Sequence, residues 1–377
     1  MSEYQYYEWV KLESLLTMDE REAVDALSSH IEVGSMGASV SYNWGNFKHN
    51  PIQVLAKYFD AYLYFSNWGS FELAFGFPKG LIDVDALKAY LNGDWLSLNT
   101  IEDKLILKFE KNSDEGYCED YDVQDDLSTL SHLRENIIQG DYRVLYIMWL
   151  SAMEEEANWY DEEELVEFYQ TPEPPLPAGL SELTLPLRTF INDFEVNPFL
   201  VSAAFERSPN LVPLKKTTFT SAISKLSRKE TNEFLLKIAN GEAGAISALR
   251  KKLYSFDKPA YKMQAKPRTI GELIKRAEEL KEIEKKRLAE EKHKRHLARM
   301  KRFEKDERKI WAGVESVLTR GAKAKVYDEA TELLAQLYEL AQFKGEESRF
   351  RMRIRVFAKQ YERRMTLIKR WERKGWI

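Results

Sequence analysis

The sequence predicts an α+β protein: a small, aromatic-rich mixed α/β N-terminal domain, then a mainly α-helical region with one long charged helix and C-terminal helical hairpins. Three observations carry that reading. Twelve aromatic residues fall in the 36 positions from Tyr42 to Phe77, and aromatic side chains favour the pleated, half-buried surface of a sheet. From Arg268 to Lys309 there is one glycine and no proline, with 16 bases and 10 acids, which is the composition of a long solvated helix. Beyond it, Tyr327, Ala330, Leu333, Leu334, Leu337 and Ala341 recur at helical spacing, followed by Phe350, Ile354, Phe357 and Tyr361.

In chain order, the aromatic stretch 4–9 reads as a strand. Thr17 is a good N-cap for a helix over 18–29, with Glu20 as its capping-box partner. Residues 61–65 and 71–77 suit two strands joined by the turn sequence Asn67-Trp68-Gly69-Ser70. A helix over 83–91 and a strand over 104–109 complete the region. An aromatic belt of this kind can stack nucleobases. No arginine lies between Tyr42 and Phe77, however, and Lys48 and Lys57 are the only lysines before Lys79 there. Core packing is therefore the expectation.

Residues 102–195 form an acidic centre of 24 acids against six bases. Asp120, Asp122, Asp125 and Asp126 cluster, followed by Glu154 to Glu156 and Asp161 to Glu164. Carboxylates at such spacing can take Mg²⁺ or Ca²⁺, but the glycine and closing glutamate of an EF-hand are missing, so solvated loops and helix ends are expected. Residues 130–153 read as two helices broken at Gly140-Asp141. Pro172, Pro174, Pro175 and Pro177 mark an extended linker. Helical spacing resumes over 183–256, with Pro259 and Pro267 closing the segment.

The long helix has an early apolar stripe that includes Ile270, Leu273, Ile274 and Ala277. Residues 289–296 are polar on every side, which predicts a solvent-bridging connector. His293 and His296 are three apart but lack further histidine or cysteine ligands nearby. These shifts divide the chain into an aromatic-rich α+β domain (1–115) and an acidic helical segment with its proline-rich linker (116–178). A helical domain (179–266), the charged connector helix (267–310) and a basic helical-hairpin domain (311–377) follow.

Charge separates along the chain more sharply than the net −5 suggests. Residues 1–200 hold 12 Lys+Arg against 37 Asp+Glu, and residues 201–377 hold 44 against 24. From Arg349 onward there are 11 bases and two acids. A basic half attracts polyanions, and phosphate contacts need only cations on one face. The candidate nucleic-acid-binding residues are Arg349, Arg351, Arg353, Arg355, Arg363, Arg364, Lys369 and Arg370; an acidic protein is the competing partner. The alternation of Arg349 to Arg355 with apolar residues also fits a strand, but the neighbours from Lys359 on favour helix.

One cysteine excludes an intramolecular disulfide and a Cys-rich metal cage. The N-terminus lacks a basic n-region followed by an apolar stretch, and the apolar run from Val144 to Leu150 is too short to cross a bilayer. A soluble cytoplasmic protein without membrane segment, cofactor or metal site is expected. No catalytic residue stands out. A non-catalytic adaptor or scaffold is the leading expectation, ahead of a metal-dependent hydrolase or nuclease using the acidic centre and of a purely structural interaction subunit.

The elements Tyr4-Gln5-Tyr6-Tyr7-Glu8, Tyr42-Asn43-Trp44-Gly45, Asn67-Trp68-Gly69 and the close from Tyr327-Asp328-Glu329-Ala330 through Gly375 resemble a family of bacterial hypothetical proteins with no assigned activity. The resemblance covers most of the chain. It implies a bacterial, cytoplasmic protein and transfers no functional residue.

Overall fold

A seven-stranded, wholly antiparallel sheet organises the N-terminal half of the chain. The computed structural model describes residues 3–93, 95–112, 126–210, 219–242, 244–256 and 268–377. Two compact units are formed, Met1–Lys281 and Glu282–Ile377.

In the first unit the chain runs β1 (Gln5–Val10), α1 (Met18–Asp25), β2 (Glu32–Val33), β3 (Gly37–Tyr42), α2 (Pro51–Tyr58), β4 (Ala61–Ser66) and β5 (Ser70–Pro78). It continues through α3 (Val84–Lys88), β6 (Leu96–Ile101) and β7 (Lys104–Asn112). The strand order is β2-β3-β1-β4-β5-β7-β6. Thr17 caps α1 with the expected capping box to Glu20. The β4–β5 hairpin turns through Asn67, Trp68 and Gly69. Strands β2, β3 and β6 and helix α2 were not expected from the sequence. Helix α2 is nonetheless well signalled, with Asn50 accepting from the amides of Ile52 and Gln53 and Pro51 at its first position.

Period-two alternation sorts the sheet's side chains onto two faces. Tyr7, Trp9, Tyr62, Ala74 and Ile106 pack with Val54 and Leu55 of α2. Leu63, Phe65, Phe75, Leu107 and Phe109 line the opposite face. Most of the aromatic belt is buried here, so its main role is packing, while Trp44 and Trp68 remain exposed.

Helices follow the sheet: α4 (Asp126–Leu130), α5 (His132–Gln139), α6 (Arg143–Ala157) and α7 (Glu162–Gln170), then α8 (Leu185–Asp193) and α9 (Pro198–Phe205). Of these, α4, α5, α6, α8 and α9 bury side chains in the core on the second face. Gly140 ends α5 with φ 85, a left-handed C-cap that a side chain would strain. Helix α6 buries every residue from Arg143 to Met153, as a central core helix must. The short α10 (Phe219–Ile223), α11 (Arg228–Ala239) and α12 (Ala245–Ser255) follow.

The proline-rich segment is extended but packed. Tyr90 donates its hydroxyl proton to the carbonyl of Pro175 at 2.7 Å, and Ser208 donates to that of Pro177 at 2.8 Å. Glu173 and Arg268 form an ion pair at 3.0 Å with side chains 2% and 3% exposed. Helix α13 (Ile270–Thr319) starts beside this pair, and its Ile270, Leu273 and Ala277 join the sheet-and-helix core.

Most of α13 belongs to the second unit, with α14 (Ala324–Lys344), α15 (Glu347–Lys359) and α16 (Met365–Arg373). The charged helix thus runs on past Lys309 to Thr319. Its last turns carry Trp311, Val314, Val317 and Leu318 into a core with Leu334, Ile354, Leu367 and Trp371. Leu333 lies 3.5 Å from where a Cβ on Gly313 would stand, and Lys344 pairs with Glu304, so α13 and α14 run antiparallel. No helix among the described residues is long and apolar enough to cross a membrane.

Candidate nucleic-acid interface

The basic stretch from Arg349 is helical, and this decides how its arginines group. Residues two apart on a helix point about 200° apart, whereas residues four apart lie nearly above one another. Arg349, Arg351, Arg353 and Arg355 therefore make two short stripes. Arg351 and Arg355 continue into Lys359 at i+8, a row with about 6 Å between successive positions. Arg349 and Arg353 lie on the other flank. Phe350, Ile354, Phe357 and Ala358 turn inward and fix the helix's orientation in the unit.

Burial and partners divide the eight candidates by role. Three of them hold the unit together. Arg364 donates to the carbonyls of Leu318 and Gly321 at 2.8 and 3.2 Å, where α13 ends. Arg353 stacks on Trp311, its guanidinium carbon 4.0 Å from the ring centroid, with Glu307 at 3.8 Å. Arg370 pairs with Asp328 and lies over the Tyr327 ring. Two more have light, exposed partners: Arg349 reaches Glu346 at 3.3 Å, and Arg351 reaches the Tyr338 hydroxyl at 3.5 Å. Arg355, Arg363 and Lys369 are exposed and make no ion pair among the described residues. Lys359 has the same character though it is not among the eight candidates; its i+4 spacing from Arg355 is the signal that groups it with them.

This outer face is not purely charged. On α15, Met352 is 70% exposed and Val356 61%; at the start of α16, Met365 is 60% exposed. From Arg349 on, Glu362 and Glu372 are the only acids in the sequence. The unit Glu282–Ile377 holds 27 Lys+Arg against 16 Asp+Glu, a net of +11. Most of those acids lie on α13 and α14, where they pair with bases of their own unit, as Glu339 does with Arg299 and Glu329 with Arg320. The exposed side chains of α15 and α16 are left with a cationic excess.

The acidic centre has a different character. Glu154 accepts from the Asn197 amide at 2.6 Å, Glu155 lies 3.8 Å from Lys111, and Glu156 accepts from Asn92 and Tyr160. Asp161 caps α7 in a capping box with Glu164. These carboxylates tie helices to the sheet and to one another. Asp120, Asp122 and Asp125, like Cys118, Pro259 and Pro267, lie outside the described residues, as does the Asp126 side chain. His296 faces Glu339, with Nδ1 3.7 Å from its carboxylate. Among the described residues no group of three or more His, Cys, Asp or Glu side chains is gathered as a metal site.

Compared with protein-family models, curated proteins and solved structures, the chain has no match.

Proposed function

We propose that the protein is a non-catalytic adaptor whose C-terminal unit grips the phosphate backbone of nucleic acid through the outer face of α15 and α16. The observation that carries this reading is the row Arg351, Arg355 and Lys359 on α15, with Arg363 and Lys369 exposed farther along the chain. These are exposed cations that the fold does not use as internal struts. Their rise along the helix is comparable with the step between successive phosphates of one strand. Lysine and arginine in such a row neutralise phosphates without reading bases, so binding is independent of sequence and weakened by salt. The acidic first unit repels the same polyanion and keeps the contact on this surface.

The test is fluorescence anisotropy of a labelled DNA duplex with the full chain and with an Arg355→Glu/Lys359→Glu variant. Binding at 50 mM salt, competed equally by unrelated duplexes and weakened in the variant, supports the reading. A partner displaced by poly-glutamate but indifferent to DNA replaces it with an acidic protein. No binding at that salt concentration removes it.

A further inference from the structure

A second cationic site sits in the first unit, where the overall charge is of the opposite sign. Met1–Lys281 holds 29 Lys+Arg against 45 Asp+Glu, a net of −16. Yet a cleft of about 450 Å³ between the 78–81 loop and α12 is lined by Lys79, Lys237, Lys251 and Lys252, with Glu242 as the one acid among the described lining residues. Pro78, Leu81, Ala245 and Ala248 supply an apolar wall. That volume lies in the range of small-molecule sites, which pair an apolar lining with a few polar anchors.

The cleft is held open by specific contacts. Lys251 donates to the carbonyl of Leu81 at 2.5 Å and fastens α12 to the loop. A Cβ on Gly244 would come within 2.7 Å of Pro78, and its φ of +76 is a left-handed conformation, so glycine is what lets α12 begin this close. The other three lysines are held lightly. Lys237 pairs with Glu233 at 3.0 Å and Lys252 with Glu230 at 3.1 Å, all four side chains more than a third exposed. Lys79 lies 3.9 Å from Asp103 and donates to the carbonyl of Glu102. Exposed pairs of this kind add little to stability, so the ammonium groups can turn to a ligand.

We infer that this cleft binds a small phosphorylated ligand with an apolar body, of nucleotide size. Lysines act as flexible point charges on a compact phosphate, and the low-dielectric wall beside them focuses their field. A long polyanion is disfavoured, because the acidic remainder of the unit would repel whatever extended beyond the cleft. The inference does not rest on the reading of α15 and α16.

Calorimetric titration of the full chain tests the inference with three probes: inorganic pyrophosphate, ADP and a single-stranded DNA 20-mer. Both small probes should bind, ADP more tightly. Lys237→Glu/Lys252→Glu should weaken both roughly tenfold with the far-UV circular dichroism melt unchanged. Arg355→Glu/Lys359→Glu should leave them unaffected. Should the double variant unfold, Lys79→Gln on the opposite wall gives a milder loss of the same sign. Absence of pyrophosphate and ADP binding overturns the inference. So does affinity insensitive to the cleft lysines, or a Lys237/Lys252 dependence seen only with the 20-mer.

Discussion

Replacing Arg268 by methionine should be among the most damaging single changes in the first unit. Arg268 and Glu173 are 3% and 2% exposed, with Nε to Oε2 at 3.0 Å. The same carboxylate oxygen accepts from the Tyr146 hydroxyl at 2.8 Å, and Arg268 Nη1 donates to the Ala203 carbonyl at 2.8 Å. The Glu173 amide donates to the Arg268 carbonyl at 2.9 Å, so the backbone carries part of the link. Removing one partner strands the other charge in a low-dielectric site, which costs about 3–5 kcal/mol. Replacing both by apolar groups of similar size avoids that penalty and is often neutral. Glu173→Leu/Arg268→Met should therefore lie within about 2 kcal/mol of the natural chain, the Tyr146 hydroxyl being left without its acceptor. Urea unfolding followed by circular dichroism reads both values. A single-variant loss below about 1 kcal/mol, or a double variant worse than the single, would refute this account of how the proline segment and the start of α13 are held.

Three further outcomes follow from the same geometry. Arg364→Ala removes two charge-assisted hydrogen bonds to the end of α13 and should lower stability by about 2 kcal/mol, while leaving the salt dependence of DNA binding unmoved. Burial raises the Glu72 carboxyl above its usual 4.5 despite the Lys108 ammonium 3.9 Å away. The folded state then holds that proton more tightly than the unfolded chain. Its contribution to stability is present at low pH and declines as pH rises from 4.5 toward the raised value, so in pH-resolved urea melts Glu72→Gln should show a flatter profile across that window. Inserting two glycines after Glu291, where residues 289–296 are mostly exposed, should cost about 2 kcal/mol of local helix stability. Hydrogen exchange should still find protected cores in both units.

Local rules made much of this fold legible. The Thr17–Glu20 capping box, the Asn67-Trp68-Gly69 turn, the Gly140 break and the helical terminus at Gly375 each rest on a side chain or glycine acting on its own backbone. Strands β3 and β6 escaped because Gly37-Ala38-Ser39 and the residues Ser97, Asn99 and Thr100 are small or polar. They are strands by virtue of their neighbours, β1 and β7, which pair with them over long stretches. The end of the charged helix was misplaced for a related reason. At Ile310 the composition turns from charged to apolar, and that change marks where the helix enters a core rather than where it stops. In the candidate interface the residue types were legible and their division of labour was not. Nothing local tells Arg364, bound to carbonyls 43 and 46 residues away, from Arg363 beside it.

The salt dependence of duplex binding tests the central claim most directly. Arg349, Arg351, Arg355, Lys359, Arg363 and Lys369 are six exposed cations between Arg349 and the end of α16 that make at most light contacts within the fold. Six phosphate contacts give a slope of log K against log salt of about −5, and Arg355→Glu/Lys359→Glu should bring it to about −3.6 or shallower. A salt-independent affinity, or a slope the same in the variant as in the natural chain, would contradict phosphate recognition by α15 and α16.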